Sequence, residues 1–355
     1  MPATPNTSHV PDAIIEKAEE LDLRYISDST SGIAREGPKS RFSYRDTSGK
    51  VIRDKNTLTR ITNLRIPPAW TNVWISPRGN THLQATGFDE KGRKQYIYHA
   101  KWTQICQEHK FDKVELFGKH LPTIREQIER DMTTRGLNQR RVIATVIWLL
   151  EHTFIRVGNE EYAKENQSFG LTTLRNKHVD FEGDHVKFSF KGKSGVEHEK
   201  EITNPTVVKT IRKCIELPGY EVFQYLDEDK NRHTVDSQDV NDYLQEVTGE
   251  KISAKDFRTW GGTMISAQTL DKIGPAENKT QLKKNLADTC KVVSKRLGNT
   301  ATVCRSYYIH PTVFKTYEDD ILIPHMREYR NRPSKDEYLK PTESAVLTLL
   351  KQYPI

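Results

Sequence analysis

The chain has 355 residues, 29% of them charged and 35% apolar, with a formal net charge of +7. No apolar run approaches the roughly 18 residues that a membrane helix needs, and the first residues lack the basic start and apolar stretch of an export signal. Four widely spaced cysteines (Cys106, Cys214, Cys290, Cys304) include no CxxC pair, so a protein of the reducing cytoplasm is expected, with no membrane partner, no zinc site and no disulfide framework.

The length allows two domains. Charge is concentrated in one of them: residues 31–110 carry 15 Lys and Arg against 6 Asp and Glu, whereas residues 1–30 carry 2 against 6. A localised basic block suits a polyanion, because neutralising phosphates releases counterions; a solvated basic face would look the same.

In chain order, residues 12–26 repeat apolar positions at helical spacing and predict a first helix. "RFSYRD" and "KVIRD" around "TSG" predict a hairpin, and "NTLTRITNLRIPP" a short helix capped by Asn56 and stopped by the proline pair. "TNVWISP", "THLQATGF" and "RKQYIYH" alternate as strands. From about Phe111 the periodicity becomes helical, interrupted by "KHVDFEGDHVKFSFKGKSGVEHEKEI", which reads as three strands joined by "EGD" and "GKSG" turns. "TESAVLTLLKQYPI" has the pattern of one more helix. The expected class is α+β: an N-terminal sheet-rich domain over residues 1–112, and a mostly helical domain with a three-stranded β element over 113–355.

Several chemistries are excluded. "KGKSG" ends like a phosphate-binding P-loop, but position 187, where that loop needs glycine, is Lys187. No HExxH, no strand-borne GxGxxG and no GxSxG is present.

Four local features remain. Arg156 follows an apolar helix in "FIRVGNEEY" and could simply compensate its macrodipole. Lys193 lies in a glycine-flanked β turn, where a lysine is either solvated or free to reach a ligand. "SAKDFRTWGG" starts a helix with Ser253 and Asp256 as a capping box, and Lys255 and Arg258 in its first turns oppose the dipole, which suits an anion site. In "KRLGNTATVCRSYYIHP", Gly298 ends one helix, Asn299 follows, and Tyr307 and Tyr308 lie side by side on the next.

Taken in order, "IRVGNEEY", "FKGKSG", "KDFRTW" and "GNTATVCRSYYI" resemble the catalytic series of the type IB DNA topoisomerases, in particular their compact poxvirus-like and bacterial branch. The N-terminal "IPPAWTNVWISPRGNTHLQATGFDEKGRKQYIYH" is similar to the start of the bacterial members, so the resemblance spans most of the chain. It implies the catalytic fold shared by tyrosine recombinases and type IB enzymes. It also implies a nucleophile nine residues after the His/Asn position, which selects Tyr308 over Tyr307. Asn299 stands where eukaryotic and poxvirus enzymes carry histidine. An amide can donate a hydrogen bond but cannot shuttle a proton, so Asn299 is expected to act as a donor only.

By the same resemblance, Arg156 and Arg258 would hold the phosphoryl oxygens and Lys193 would protonate the leaving 5′-oxygen, with Lys255 as an auxiliary. The expected activity is relaxation of positive and negative supercoils through a 3′-phosphotyrosine and religation, without ATP, metal or other cofactor, by a monomer acting on double-stranded DNA in the nucleoid. Gln84, Lys91, Arg93, Lys94 and Tyr96 would face the DNA from a clamping N-terminal sheet. A site-specific tyrosine recombinase is the rival, though recombinases usually have H-x-x-R at the second arginine and this chain has Lys255 there. A DNA-binding module that keeps only the fold is the other.

Overall fold

A computed structural model of the chain describes residues 12–38, 41–330, 332 and 336–354. It divides into two units, residues 1–110 and 111–355, and its mixture of helices with small antiparallel sheets agrees with the α+β expectation.

The first unit begins with α1 (Asp12–Glu20), shorter than the 12–26 periodicity suggested. Its sheet contains β1 (Ile33–Glu36), β2 (Ser43–Arg45), β3 (Thr71–Ile75), β4 (Leu83–Phe88) and β5 (Lys94–Tyr98), in the antiparallel order β2-β1-β3-β4-β5. β1 was not anticipated, and it takes β2 as its partner. The expected hairpin around "TSG" closes through the antiparallel bridge Arg45 to Val51, with the Asp46 amide donating to the Lys50 carbonyl at 2.9 Å and the Ile52 amide to the Tyr44 carbonyl at 2.8 Å.

Between β2 and β3 lies α2 (Lys55–Asn63). Its cap is Asp54 and not Asn56, because the Asp54 carboxylate accepts from the Thr57 amide at 2.7 Å. Ile61 of α2 packs with Ile33, Val73, Ile75 and Ala85 of the sheet. Each such fully buried aliphatic side chain contributes about 1.5–3 kcal/mol.

The helix α3 (Ala100–Met132) carries the chain from the first unit into the second. There α4 (Gln139–Thr153) is apolar on nearly every face and is buried along most of its length. Asn138 caps its start, and it ends on Phe154 in the left-handed conformation, φ 56°. After α5 (Glu160–Asn166) comes the expected three-stranded element, β6 (Val179–Glu182), β7 (His185–Lys191) and β8 (Glu197–Ile202), antiparallel in that order.

Next follow α6 (Pro205–Ile215), a two-stranded ribbon of β9 (Gln224–Leu226) and β10 (Arg232–Thr234) that the sequence reading missed, and α7 (Ser237–Thr248). The remaining helices are α8 (Ala254–Ile273), α9 (Lys279–Leu297), α10 (Ala301–Tyr307), α11 (Pro311–Glu318), α12 (Leu322–Arg330) and the anticipated C-terminal α13 (Pro341–Gln352). One continuous core joins α4, α8, α9 and α13 to the inner face of the β6-β7-β8 sheet.

Candidate active site

The site is assembled around α8. Arg258, Gly261 and Gly262 are three and four residues apart and share one face of the helix. Gly261 gives room to the Phe154 ring, which would lie 2.2 Å from any Cβ there, and Gly262 gives room to the backbone of Tyr308, whose carbonyl oxygen would lie 2.3 Å from its Cβ. Thr263 then fixes the chain after the tyrosine, its hydroxyl accepting from the His310 amide at 3.1 Å.

Arg258 is 4% exposed. Its guanidinium donates to the carbonyls of Phe154 and, at 2.7 Å, Leu297, and lies 5.2 Å from the centre of the Tyr308 ring. The left-handed turn at Phe154 aims that carbonyl at Arg258 instead of continuing α4. Burial and the nearby Arg156 charge lower the Arg258 pKa, while the Tyr308 phenol opposes the shift. This side chain therefore lies against Tyr308 and the carbonyls of Phe154 and Leu297. The first turn of α8 is already occupied: the Ala254 amide donates to the Asn241 side chain, and Asp256 accepts from the Ser253 amide and hydroxyl at 2.8 Å.

Arg156, just beyond the end of α4, donates to Asn299 Oδ1 at 2.5 Å. Guanidinium can only donate, so this bond turns the Asn299 amide nitrogen the other way. Asn299 Nδ2 and Arg258 Nε are both buried without a partner. Among the described residues no carboxylate pairs with Arg156 or Arg258. A buried donor left unpaired costs about 1–3 kcal/mol, and an oxyanion with several acceptor oxygens would satisfy both Asn299 Nδ2 and Arg258 Nε.

Tyr308 is half-buried against the core, whereas Tyr307 is 46% exposed. The cause differs from the helical step assumed from sequence. Tyr308 lies just past the end of α10, with φ −130° and ψ −8°, and its amide still bonds the Cys304 carbonyl at 2.9 Å. The chain leaves the helix at this residue and lays its backbone on Gly262.

Arg156, Arg258, Asn299 and Tyr308 are thus brought together, while Lys193 and Lys255 are both exposed. Lys193 is exposed on the β7–β8 turn, where Ser194 (φ 64°) and Gly195 (φ 75°) are both left-handed. Lys255 is exposed on the first turn of α8.

Two residues of β8 were missed. His198 and Lys200 face inward, and burial with the neighbouring cations pushes His198 down to about 4 and lowers Lys200. The signal was present in "EHEKEI", where glutamates alternate with His198, Lys200 and Ile202 and place those three on the inner face.

In the first unit, Lys91 is exposed, Arg93 is paired with Asp89 at 2.7 Å, and Lys94 is paired with Asp28 at 2.6 Å. Burial of Asp28 is outweighed by its bonds to Lys94 and Thr86, and its pKa is lowered. Tyr96 is exposed and stacks on Tyr98 with ring centres 6.0 Å apart. Gln84 is 3% exposed: its amide donates to the carbonyls of Gly79 and Thr81 and accepts from Arg60. Its polar atoms are bonded inside the unit.

The sequence profile of the eukaryotic DNA topoisomerase I catalytic core matches residues 99–333. The chain belongs to the type IB DNA topoisomerases. The bacterial DNA topoisomerase IB N-terminal domain also matches this topoisomerase, over residues 41–89. It is 36% identical over 299 residues to DNA topoisomerase 1B of Acanthamoeba polyphaga mimivirus, covering 81% of this chain and 88% of the relative. It is 24% identical over 298 residues to DNA topoisomerase 1B of Vaccinia virus (strain Copenhagen), covering 78% and 89%. Both rival readings give way to an enzyme of DNA topology. Among the described residues no helix is long and apolar enough to cross a membrane, and no group of three or more His, Cys, Asp or Glu is arranged to hold a metal.

Proposed function

We propose that this topoisomerase cleaves one strand of duplex DNA with Tyr308 as the nucleophile, and that Arg156, Arg258 and Asn299 form the pocket for the scissile phosphate. The observation that carries this reading is the pair of buried donors without a partner among the described residues, Asn299 Nδ2 and Arg258 Nε, with Arg156 bonded to the same Asn299. A phosphodiester that reaches them would supply the missing acceptors, and donors aimed at its oxygens stabilise the charge that builds there.

Phenol attack forms a 3′-phosphotyrosine and frees a 5′-hydroxyl. The cut strand turns about the intact one, and the hydroxyl attacks back. One phosphodiester replaces another of similar energy, so neither step requires ATP. Lys193 is the proposed acid for the 5′-oxygen. Its exposed place on a short turn lets it join the pocket when DNA is bound, and Lys255 would contribute a phosphate contact. In the first unit, Lys91, Arg93, Lys94 and Tyr96 are the proposed DNA-facing residues, with the cations positioning and Tyr96 lying against bases or sugar. The enzyme is read as a monomer of the nucleoid.

The test is relaxation of negatively and positively supercoiled plasmid in EDTA without ATP. Wild type and Tyr307→Phe should relax both substrates and Tyr308→Phe neither. An inactive Tyr307→Phe beside an active Tyr308→Phe would overturn the assignment. Sedimentation of the enzyme alone and with a short duplex checks the monomer.

A further inference from the structure

The imidazole of His198 lies between two backbone segments that carry catalytic residues. A Cβ built on Gly192, next to Lys193, would lie 2.6 Å from His198 Cδ2 and 2.7 Å from Nε2. One built on Gly298, next to Asn299, would lie 2.6 Å from Cε1 and 3.3 Å from Nε2. No side chain fits at either position while the ring is there. The ring also stacks on Phe190 of β7, centres 5.1 Å apart and planes 19° apart, so the strand that leads into the Lys193 turn holds it from a third side. Ser168 reinforces the same point by donating to the Gly192 carbonyl.

We infer that His198 is a positioning residue that docks the Lys193 turn against the Gly298–Asn299 wall of the pocket, and so sets where the lysine delivers its proton. The inference rests on the proposed role of Lys193. In that step Tyr308 Oη bonds to phosphorus and its proton passes to water. The P–O5′ bond breaks with its electron pair on O5′, and the Lys193 ammonium supplies the proton that O5′ takes up. Facing Arg156, Arg258 and Lys200, the imidazole is uncharged at neutral pH. It therefore docks the turn without adding a cation that would repel the lysine.

The leaving group makes a test possible. A 5′-bridging sulfur leaves as a thiolate whose conjugate acid has a pKa of about 8.5, so it needs no acid, whereas an alkoxide does. Single-turnover formation of the covalent adduct is measured on a duplex with a 5′-bridging oxygen and on one with a 5′-bridging sulfur, for wild type, Lys193→Ala, His198→Ala and Gly192→Ala. Gly192 has φ −95°, so alanine there strains no backbone and only displaces the ring.

The expected result is that His198→Ala and Gly192→Ala are slowed about 10²-fold on the oxygen substrate and come close to wild type on the sulfur substrate, as Lys193→Ala does. Near-normal rates with sulfur also demonstrate that the variants fold. If Lys193→Ala is restored by sulfur while His198→Ala and Gly192→Ala are equally slow on both substrates, or match wild type on both, the docking role is wrong. If Lys193→Ala itself is not restored, the acid assignment falls and takes the inference with it.

Discussion

Gly262 of α8 lies directly under the backbone of Tyr308, close enough that a single added methyl would sit 2.3 Å from the tyrosine carbonyl oxygen and 3.0 Å from its Cβ. The helix that supplies Arg258 is thereby also the surface on which Tyr308, the proposed nucleophile, rests. Gly262→Ala must push Tyr308 away from that surface. Alanine favours a helix, yet overpacking costs about 1–3 kcal/mol, so the melting temperature should fall modestly. Misplacing the phenol should slow covalent adduct formation by about 10²-fold. A single-turnover assay beside a thermal melt separates the two effects.

Asn299 accepts from Arg156 and, in the proposed role, offers its amide N–H to the substrate. Asn299→Ala should slow cleavage by about 10²–10³-fold while leaving duplex affinity nearly unchanged. Asn299→Asp should be worse, because a carboxylate beside Arg156 and Arg258 pairs with the cations and repels the phosphate. Rapid-quench rates and filter-binding affinities for the two variants check the order.

The two arginines should differ in stability as well as rate. Arg258→Ala strands the Phe154 and Leu297 carbonyls and leaves a void in a buried site, so it should lower urea stability by about 2–4 kcal/mol and abolish activity. Arg156→Ala should be inactive with little loss of stability. Equilibrium urea unfolding of both variants is the measurement.

His82 and His198 both have pKa values pushed down to about 4 by burial, from an ordinary 6.5. The unfolded chain binds more protons than the folded one between those values. The stability these groups contribute is therefore complete above pH 6.5 and is lost as pH falls through about 4. The urea midpoint should drop across that window, above the range in which most carboxylates titrate. NMR titration of the imidazole protons should find both rings still neutral at pH 5.5.

In the first unit, Gln84 and Tyr96 should behave in opposite ways. Gln84→Ala removes a buried amide that joins Arg60 to the Gly79 and Thr81 carbonyls, and should destabilise that unit by about 1–3 kcal/mol without changing DNA affinity. Tyr96→Ala should weaken duplex binding and leave the melt unchanged. Fluorescence anisotropy at two salt concentrations and a thermal melt distinguish them.

The sequence by itself determined the family, through motifs that hold the proposed site residues. The ordered motifs around Arg156, Lys193, Arg258, Asn299 and Tyr308 are local, as are the strand alternation of β6 to β8 and the helical pattern of α13, so a linear reading reaches them. Only the tertiary structure decided which of those groups meet. Two distant carbonyls, Phe154 and Leu297, hold the buried Arg258 beside Tyr308, and neither is near it in sequence. That the Gln84 amide is buried and bonded to Gly79, Thr81 and Arg60 was not legible either, because alternation gives a face and not its contents. β1 and the β9–β10 ribbon escaped because strands of three or four residues are defined by partners elsewhere in the chain. His198 belongs to the pocket through contacts with Gly192 and Gly298, the second of them 100 residues away in sequence. Packing of that kind depends on space shared between remote segments, and no local pattern encodes it.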